Sequence, residues 1–197
     1  MQRAAITLLL VSASLTVAFA PSTQVSRQTV SLGAATEQVE SKMFGDIVDE
    51  VGLLEASKFP IKPDDLIARA KEVLSPSVGL GTKDNGACLA QDFEFCAAVV
   101  GPIGKEEYLN ALGTFKLEDA FAISANFFGF SVDPMQPNRV WFFNRVRATH
   151  TGTFMGADPS GKKIEYPPQI QHLDFNEDGK IKEYGFYTAD RRQGNTG

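Results

Sequence analysis

Between Asp64 and Leu74 the apolar residues Leu66, Ile67, Ala70, Val73 and Leu74 recur at three- and four-residue steps, the period of a helix with one packed side. Acids at its start and Pro76 beyond its end suit the dipole and the stop of such a helix. A mixed run, Phe44, Ile47, Val48, Val51, Leu53 and Leu54, predicts a short helix within 40–57, interrupted by Gly45 and Gly52. Lys105 to Leu112 predicts another. The rest reads as strand: around Phe93–Phe95, within 120–130, and over 140–153 as one long strand. That strand puts Trp141, Phe143, Arg145, Arg147, Thr149 and Thr151 on one face and Phe142, Asn144, Val146, Ala148 and His150 on the other. Both faces start aromatic, so neither is plainly solvent-facing. Turn chemistry at Gly156-Ala157-Asp158-Pro159-Ser160-Gly161 and at Asn176-Glu177-Asp178-Gly179 introduces two further strands. Helices first and an antiparallel sheet afterwards define an α+β domain.

Composition narrows the function classes. The chain has 197 residues, 43% apolar with 15 Phe, enough for one domain with a real core. Its net charge of −5 argues against nucleic acid, whose footprint is a basic patch. Lys162-Lys163 and Arg191-Arg192 are too short to build one. Cys88 and Cys96 are too few for a disulfide framework and read as reduced core thiols.

The N-terminus reads as an address. Arg3 precedes the apolar run Ala4–Val11, and small residues follow through Ala18, the layout of a signal peptide over residues 1–18. The run is too short to span a bilayer, which takes about 20 residues. No later stretch qualifies, so no transmembrane segment is expected in the mature protein. Residues 19–39 are rich in Ser, Thr and Gln, with no acid before Glu37, the composition of a transit peptide. Val17-Ala18-Phe19-Ala20-Pro21 resembles the signal-to-transit junction of algae with secondary plastids, such as diatoms. That resemblance implies a plastid destination, secretion being the alternative. Residues 40–59 then form a linker with a short helix, and 60–197 the folded domain.

Within 60–192 the order Asp92-Phe93-Glu94-Phe95, a turn, then Gly104-Lys105-Glu106-Glu107-Tyr108-Leu109 is one part of a family likeness. Thr149-His150-Thr151-Gly152, Phe154, Gly156, Pro159, Gly161-Lys162, Asp178-Gly179-Lys180-Ile181 and Asp190 are the other. Together they resemble the SnoaL-like polyketide cyclases of the NTF2-like superfamily, most specifically over 138–190. The resemblance implies an NTF2-like cone, with N-terminal helices packed on a strongly curved antiparallel sheet. It further implies an apolar pocket for a small hydrophobic ligand, no cofactor, and a homodimer through the outer sheet face. In such a pocket Asp190 matches the terminal acid and His172 is the expected partner, with Tyr108, Trp141, Phe143, His150 and Tyr187 as lining. Burial raises a carboxyl toward neutrality, as proton transfer requires. The implied activity is a cofactor-free cyclase, isomerase or dehydratase acting on a small lipophilic carbonyl compound. The alternative is a non-catalytic plastid module that binds a hydrophobic ligand or a protein partner. The chain departs from the family at Gly185-Phe186, where a Trp is common, and at Arg191-Arg192 behind the acid.

Two histidines without Cys or carboxylate at ligand spacing predict no metal site. Asp174-x-Asn176-x-Asp178-Gly179 begins like a calcium loop, but its twelfth position is Gly185 and its flanks are strands, so a hairpin turn is expected. Gly79-Leu80-Gly81 lacks the strand, helix and lysine of a phosphate cradle.

Overall fold

A computed structural model describes residues 47–97, 100–115 and 117–189. The targeting segments 1–39 and Asp190 lie outside the described residues. Two main helices, α2 (Pro63–Val73) and α3 (Lys105–Phe115), are joined by the short α1 (Glu50–Ala56) and α4 (Leu117–Ala120). Pro63 opens α2, where a missing N–H costs nothing, with Asp64 and Asp65 in its first turn. Its buried face is Leu66, Ala70 and Val73, as the spacing predicts.

The strands are β1 (Leu89–Ala97), β2 (Ile103–Gly104), β3 (Phe121–Ser124), β4 (Phe127–Val132), β5 (Arg139–Asn144), β6 (Arg147–His150), β7 (Lys163–Glu165), β8 (Gln169–Phe175) and β9 (Ile181–Thr188). Six of them form one sheet in the order β2-β1-β9-β8-β5-β4, antiparallel throughout except where β1 runs parallel to β9. The other three form a smaller sheet, β3-β6-β7. The architecture is α+β, helices packed on one face of a curved, mainly antiparallel sheet. The core joins Leu66, Ala70 and Val73 of α2 and Tyr108 of α3 to Phe93, Val140, Phe142, Leu173, Phe175 and Ile181 of the sheet. Leu54, Phe59 and Ile61 pack against it from the N-terminal side.

Two expected strands are each broken. The run 140–153 becomes β5 and β6, in different sheets, and the run 120–130 becomes β3 and β4. One residue fastens both breaks. Asn126 adopts φ 51°, and its side-chain amide donates to the Ser124 carbonyl (3.0 Å) and the Arg145 carbonyl (2.7 Å). Arg145 N–H in turn donates to Ala125 O at 3.1 Å. Asparagine tolerates the left-handed region better than most residues. The paired strands therefore bend at matching points, and the ladder resumes as a second sheet. The signature Thr149-His150-Thr151-Gly152 serves this second sheet. Gly152 N–H donates to Ala120 O at 3.0 Å, and a Cβ at Gly152 would collide with the Asp119 carbonyl.

Candidate functional site

Strand β8 divides the chemistry of the molecule. Its register sets Phe142 opposite Gln171, Trp141 opposite His172 and Arg139 opposite Asp174. On the other side Tyr184 faces Leu173, Gly185 faces His172 and Glu183 faces Asp174. Alternate residues point to opposite faces, and Phe142 and Leu173 belong to the core under the helices. Gln171 therefore lies on the helix-bearing face, and His172, Asp174, Trp141, Glu183 and Tyr187 lie on the open face.

The open face carries a charge network. Arg139 donates from Nε and Nη2 to the two Asp174 oxygens at 2.6 and 2.7 Å, and Gln136 donates to Asp174 Oδ2 at 2.7 Å. His172, 1% exposed, bonds through Nε2 to Glu183 Oε1 at 2.8 Å. A carboxylate only accepts, so Nε2 carries the proton. The imidazole lies edge-on to Trp141 (centroids 5.1 Å) and parallel to Tyr187 (6.0 Å). It also fills the space a Cβ at position 185 would need, 2.9 Å from Nδ1. Burial pushes the imidazole below its usual pKa, opposed by the Glu183 hydrogen bond and reinforced by the Arg139 charge. Trp141 donates its indole N–H to Asp133 Oδ2 at 2.8 Å. Burial works against ionisation of Asp133, yet this bond and the backbone N–H groups of Met135 and Gln136 hold its carboxyl below the ordinary range.

His172, Asp174 and Glu183 bring their donor atoms within 4.8 Å of one another, a spacing a metal ion could bridge. The donor set does not fit one. Asp174 already has both oxygens on the Arg139 guanidinium, which also stands 3.6 Å from Glu183 Oε1. The arginine supplies the positive charge that a metal would bring. Asp174 is thereby committed to the sheet, and the turn after it closes through Asn176 Oδ1, which accepts from Asp178 N (3.1 Å) and Lys180 N (2.8 Å). This is the expected hairpin.

The helix-bearing face is aromatic with a neutral polar strip. Tyr108 packs on Phe93 (5.0 Å) and Phe95 (5.5 Å), and Phe95 on Tyr184 (5.4 Å) and Phe186 (5.7 Å). Tyr108 is buried, whereas Phe95, Phe127, Tyr184 and Phe186 are half-buried, so the rings thin out toward one end. Burial pushes the Tyr108 and Tyr184 phenols up, leaving both protonated near neutral pH. Tyr184 donates to Gln171 Oε1 at 3.3 Å, and Gln171 Nε2 to Gln169 Oε1 at 3.4 Å. Asn144, paired across the strands with Gln169, is 3% exposed, and its Oδ1 has no partner. These amides carry no charge and titrate nowhere near neutrality.

The expected site residues thus separate. Tyr108 is in the core under α3. Trp141, Phe143, Tyr187 and His172 share the open face, not the cone. His150 belongs to the small sheet, stacked on Phe121 (5.0 Å) with Nδ1 3.0 Å from Ser160 Oγ. His172 cannot partner an acid inside the cone, because Gly185 and Trp141 hold its ring on the other side. Sequence reasoning missed Asn144, Gln169 and Gln171; two glutamines two apart on a strand were the available signal. Two open depressions, of about 440 Å³ on the small sheet beside Arg147 and Lys163 and about 700 Å³ along α3, contain none of the amides.

Helices on one face of a bent sheet with this strand order is the cone expected from the sequence. No family model matches the chain, and no curated protein matches it. Solved structures of similar shape include a protein of Jannaschia sp. CCS1 described as a SnoaL-like polyketide cyclase. It is 17% identical, covering 68% of this chain and 89% of that one, with a TM-score of 0.46. IdmH of Streptomyces antibioticus, described as a polyketide cyclase, is 19% identical over 64% of this chain and 91% of its own, with a TM-score of 0.47. An LEH-like epoxide hydrolase of M. tuberculosis is 11% identical over 64% and 83%, also at 0.47. At these identities and TM-scores the likenesses decide nothing about this chain's chemistry. A shared fold hosts unrelated functions.

Proposed function

We propose that the chain is a SnoaL-like protein that holds a small, neutral, lipophilic ligand in its cone and does not run histidine acid–base chemistry there. One observation carries this reading. Among the described residues, the half-buried rings Phe95, Phe127, Tyr184 and Phe186 surround amides and phenols, and the one buried imidazole of β8 faces away. Apolar walls with a few placed polar groups are the usual make-up of a small-molecule site. A cofactor-free cyclase, isomerase or dehydratase would have to rest its proton transfer on Asp190 without His172.

The test uses the full chain and the neutral fluorescent probe N-phenyl-1-naphthylamine. One saturable site is expected, lost in Phe186→Asp on the helix-bearing face and retained in Phe128→Asp on the open face. Absence of binding, or loss in Phe128→Asp with retention in Phe186→Asp, refutes the reading.

Two further parts of the reading rest on other features. The open face displays Phe128 (47% exposed), Phe143 (37%) and Tyr187 (37%) around the neutralised Arg139–Asp174 pair, a surface suited to a second copy of the chain. The N-terminal segment supports plastid delivery. A fluorescent fusion of residues 1–46 should enter the plastid of a diatom, and Phe19→Ala should divert it; secretion of the unaltered fusion would overturn this.

A further inference from the structure

The amide strip has a direction. Tyr184 donates to Gln171, and Gln171 donates to Gln169, so each oxygen along the way is occupied. At its end the run is incomplete on two adjacent strands. Among the described residues the Gln169 amide nitrogen donates to nothing, and Asn144 Oδ1, buried, accepts nothing. The two residues are direct cross-strand partners, which sets their Cβ atoms about 5 Å apart on the same face. They do not bond each other. A buried acceptor without a donor is costly, and native proteins rarely keep one without a use.

We infer that Asn144 and Gln169 together bind a hydroxyl group of the ligand, which makes the ligand a lipophilic alcohol or phenol. The hydroxyl oxygen accepts from Gln169 Nε2 while its proton goes to Asn144 Oδ1. A hydroxyl does both at once, so it completes the pair in either orientation of the two amides. An ether, a ketone or a hydrocarbon completes at most half. A carboxylate would have to lose its hydration among neutral groups and aromatic rings, at heavy cost. Phe127, opposite Asn144, and Phe186, opposite Gln171, stand ready to cover the apolar body of such a ligand. Two other buried atoms lack a partner, His150 Nε2 and His172 Nδ1, but their cross-strand neighbours are Phe121 for the one and Trp141 and Gly185 for the other, so neither stands beside a second unpaired polar group. The Arg139–Asp174 pair is saturated, and of the His150 ring nitrogens only Nδ1 is met, by Ser160 Oγ.

The inference rests on the cone being a ligand site, and the test separates the two claims. The probes are 2-naphthol and 2-methylnaphthalene, equal in shape and differing in the hydroxyl, titrated against the full chain. The ratio of their affinities should shift by about tenfold against 2-naphthol in Asn144→Leu, the size of one lost buried hydrogen bond. Gln169→Leu, at a half-buried position, should shift it the same way and serves if Asn144→Leu does not fold. Binding of both probes with a ratio unchanged in the variants overturns the hydroxyl assignment and leaves the site; it would mean that Asn144 holds a bound water only. Failure of the wild-type chain to bind either probe overturns the ligand site itself, and this inference with it.

Discussion

Gly185→Ala is the sharpest test of which way His172 faces. A Cβ at 185 would stand 2.9 Å from His172 Nδ1 and 2.8 Å from the Cys96 carbonyl oxygen, and would overlap His172 Cε1. Ordinary contacts between such atoms begin near about 3.5 Å. Neither neighbour can yield freely. The imidazole is wedged between Trp141 and Tyr187 and tied to Glu183, and β9 is paired on both sides, to β1 and β8. Overpacking of this kind costs about 1–3 kcal/mol. Loss of a hydrogen bond to a charged partner adds about 1.5–3 kcal/mol. Together about 3–5 kcal/mol would go, a large share of the roughly 5–15 kcal/mol that holds a domain folded. For a chain of this length that is a fall of about 6–20 °C in melting temperature. Urea and thermal unfolding followed by circular dichroism measure it. Adding His172→Ala to Gly185→Ala should recover part of the loss, because only the Cys96 clash remains. The pair should then be less damaging than the sum of its singles by about 1–3 kcal/mol. A change under about 2 °C for Gly185→Ala, or strict additivity, would place the imidazole elsewhere and return His172 to the list of proton carriers.

Three other outcomes follow from the same geometry. His172 has a depressed pKa when folded, so the unfolded state takes up protons first and acid favours unfolding. Its contribution is complete above the unfolded value of about 6.5 and is lost as pH falls through the folded one. Stability should therefore drop on acidification below about pH 7, less steeply in His172→Gln; a rise there would show that Glu183 outweighs burial. The Cys88 thiol is buried and pushed up to about 12, so Ellman's reagent at mild alkaline pH should modify Cys96 first, and Cys96→Ser should remove the fast phase. Rapid labelling of Cys88 would mean that the strand start is open. If the open face joins two copies, Phe143→Glu should convert a dimer to a monomer in light scattering without lowering the melting temperature of the monomer; a wild-type chain that is monomeric at high concentration removes the interface.

The helices were legible because their apolar spacing is local. Leu66, Ala70 and Val73 declare one face whatever packs on it. The β8–β9 hairpin was legible from Asn176 and Gly179, since a turn is written in a few adjacent residues. The bend at Asn126 and Arg145 was not. Alternation continues through 140–153 without a break in pattern, and the amide that fastens the kink lies about twenty residues earlier in the chain. The side to which His172 points was also hidden. Alternation gives parity but no sign, and β8 is buried on both faces from Gln171 to Phe175. Only long-range partners, Gly185 behind the ring and Trp141 beside it, settle the sign.

That parity limits what the cone can do. Residues 169, 171 and 173 face the helices, while 170, 172 and 174 face the open side. An imidazole placed on β8 to move protons inside this cone would stand at 169, 171 or 173. This chain has glutamine at 169 and 171 and leucine at 173, and holds the histidine of this strand on the open face, where it bonds Glu183 of β9 beside the Arg139–Asp174 pair that ties β5 to β8. Moving the histidine to 171 would strip Glu183 of its hydrogen bond to the imidazole and replace the amide that Tyr184 already bonds. The two faces of β8 thus carry different chemistry, a charge network that stabilises the sheet on one side and neutral amides on the other, and no single substitution on this strand exchanges them.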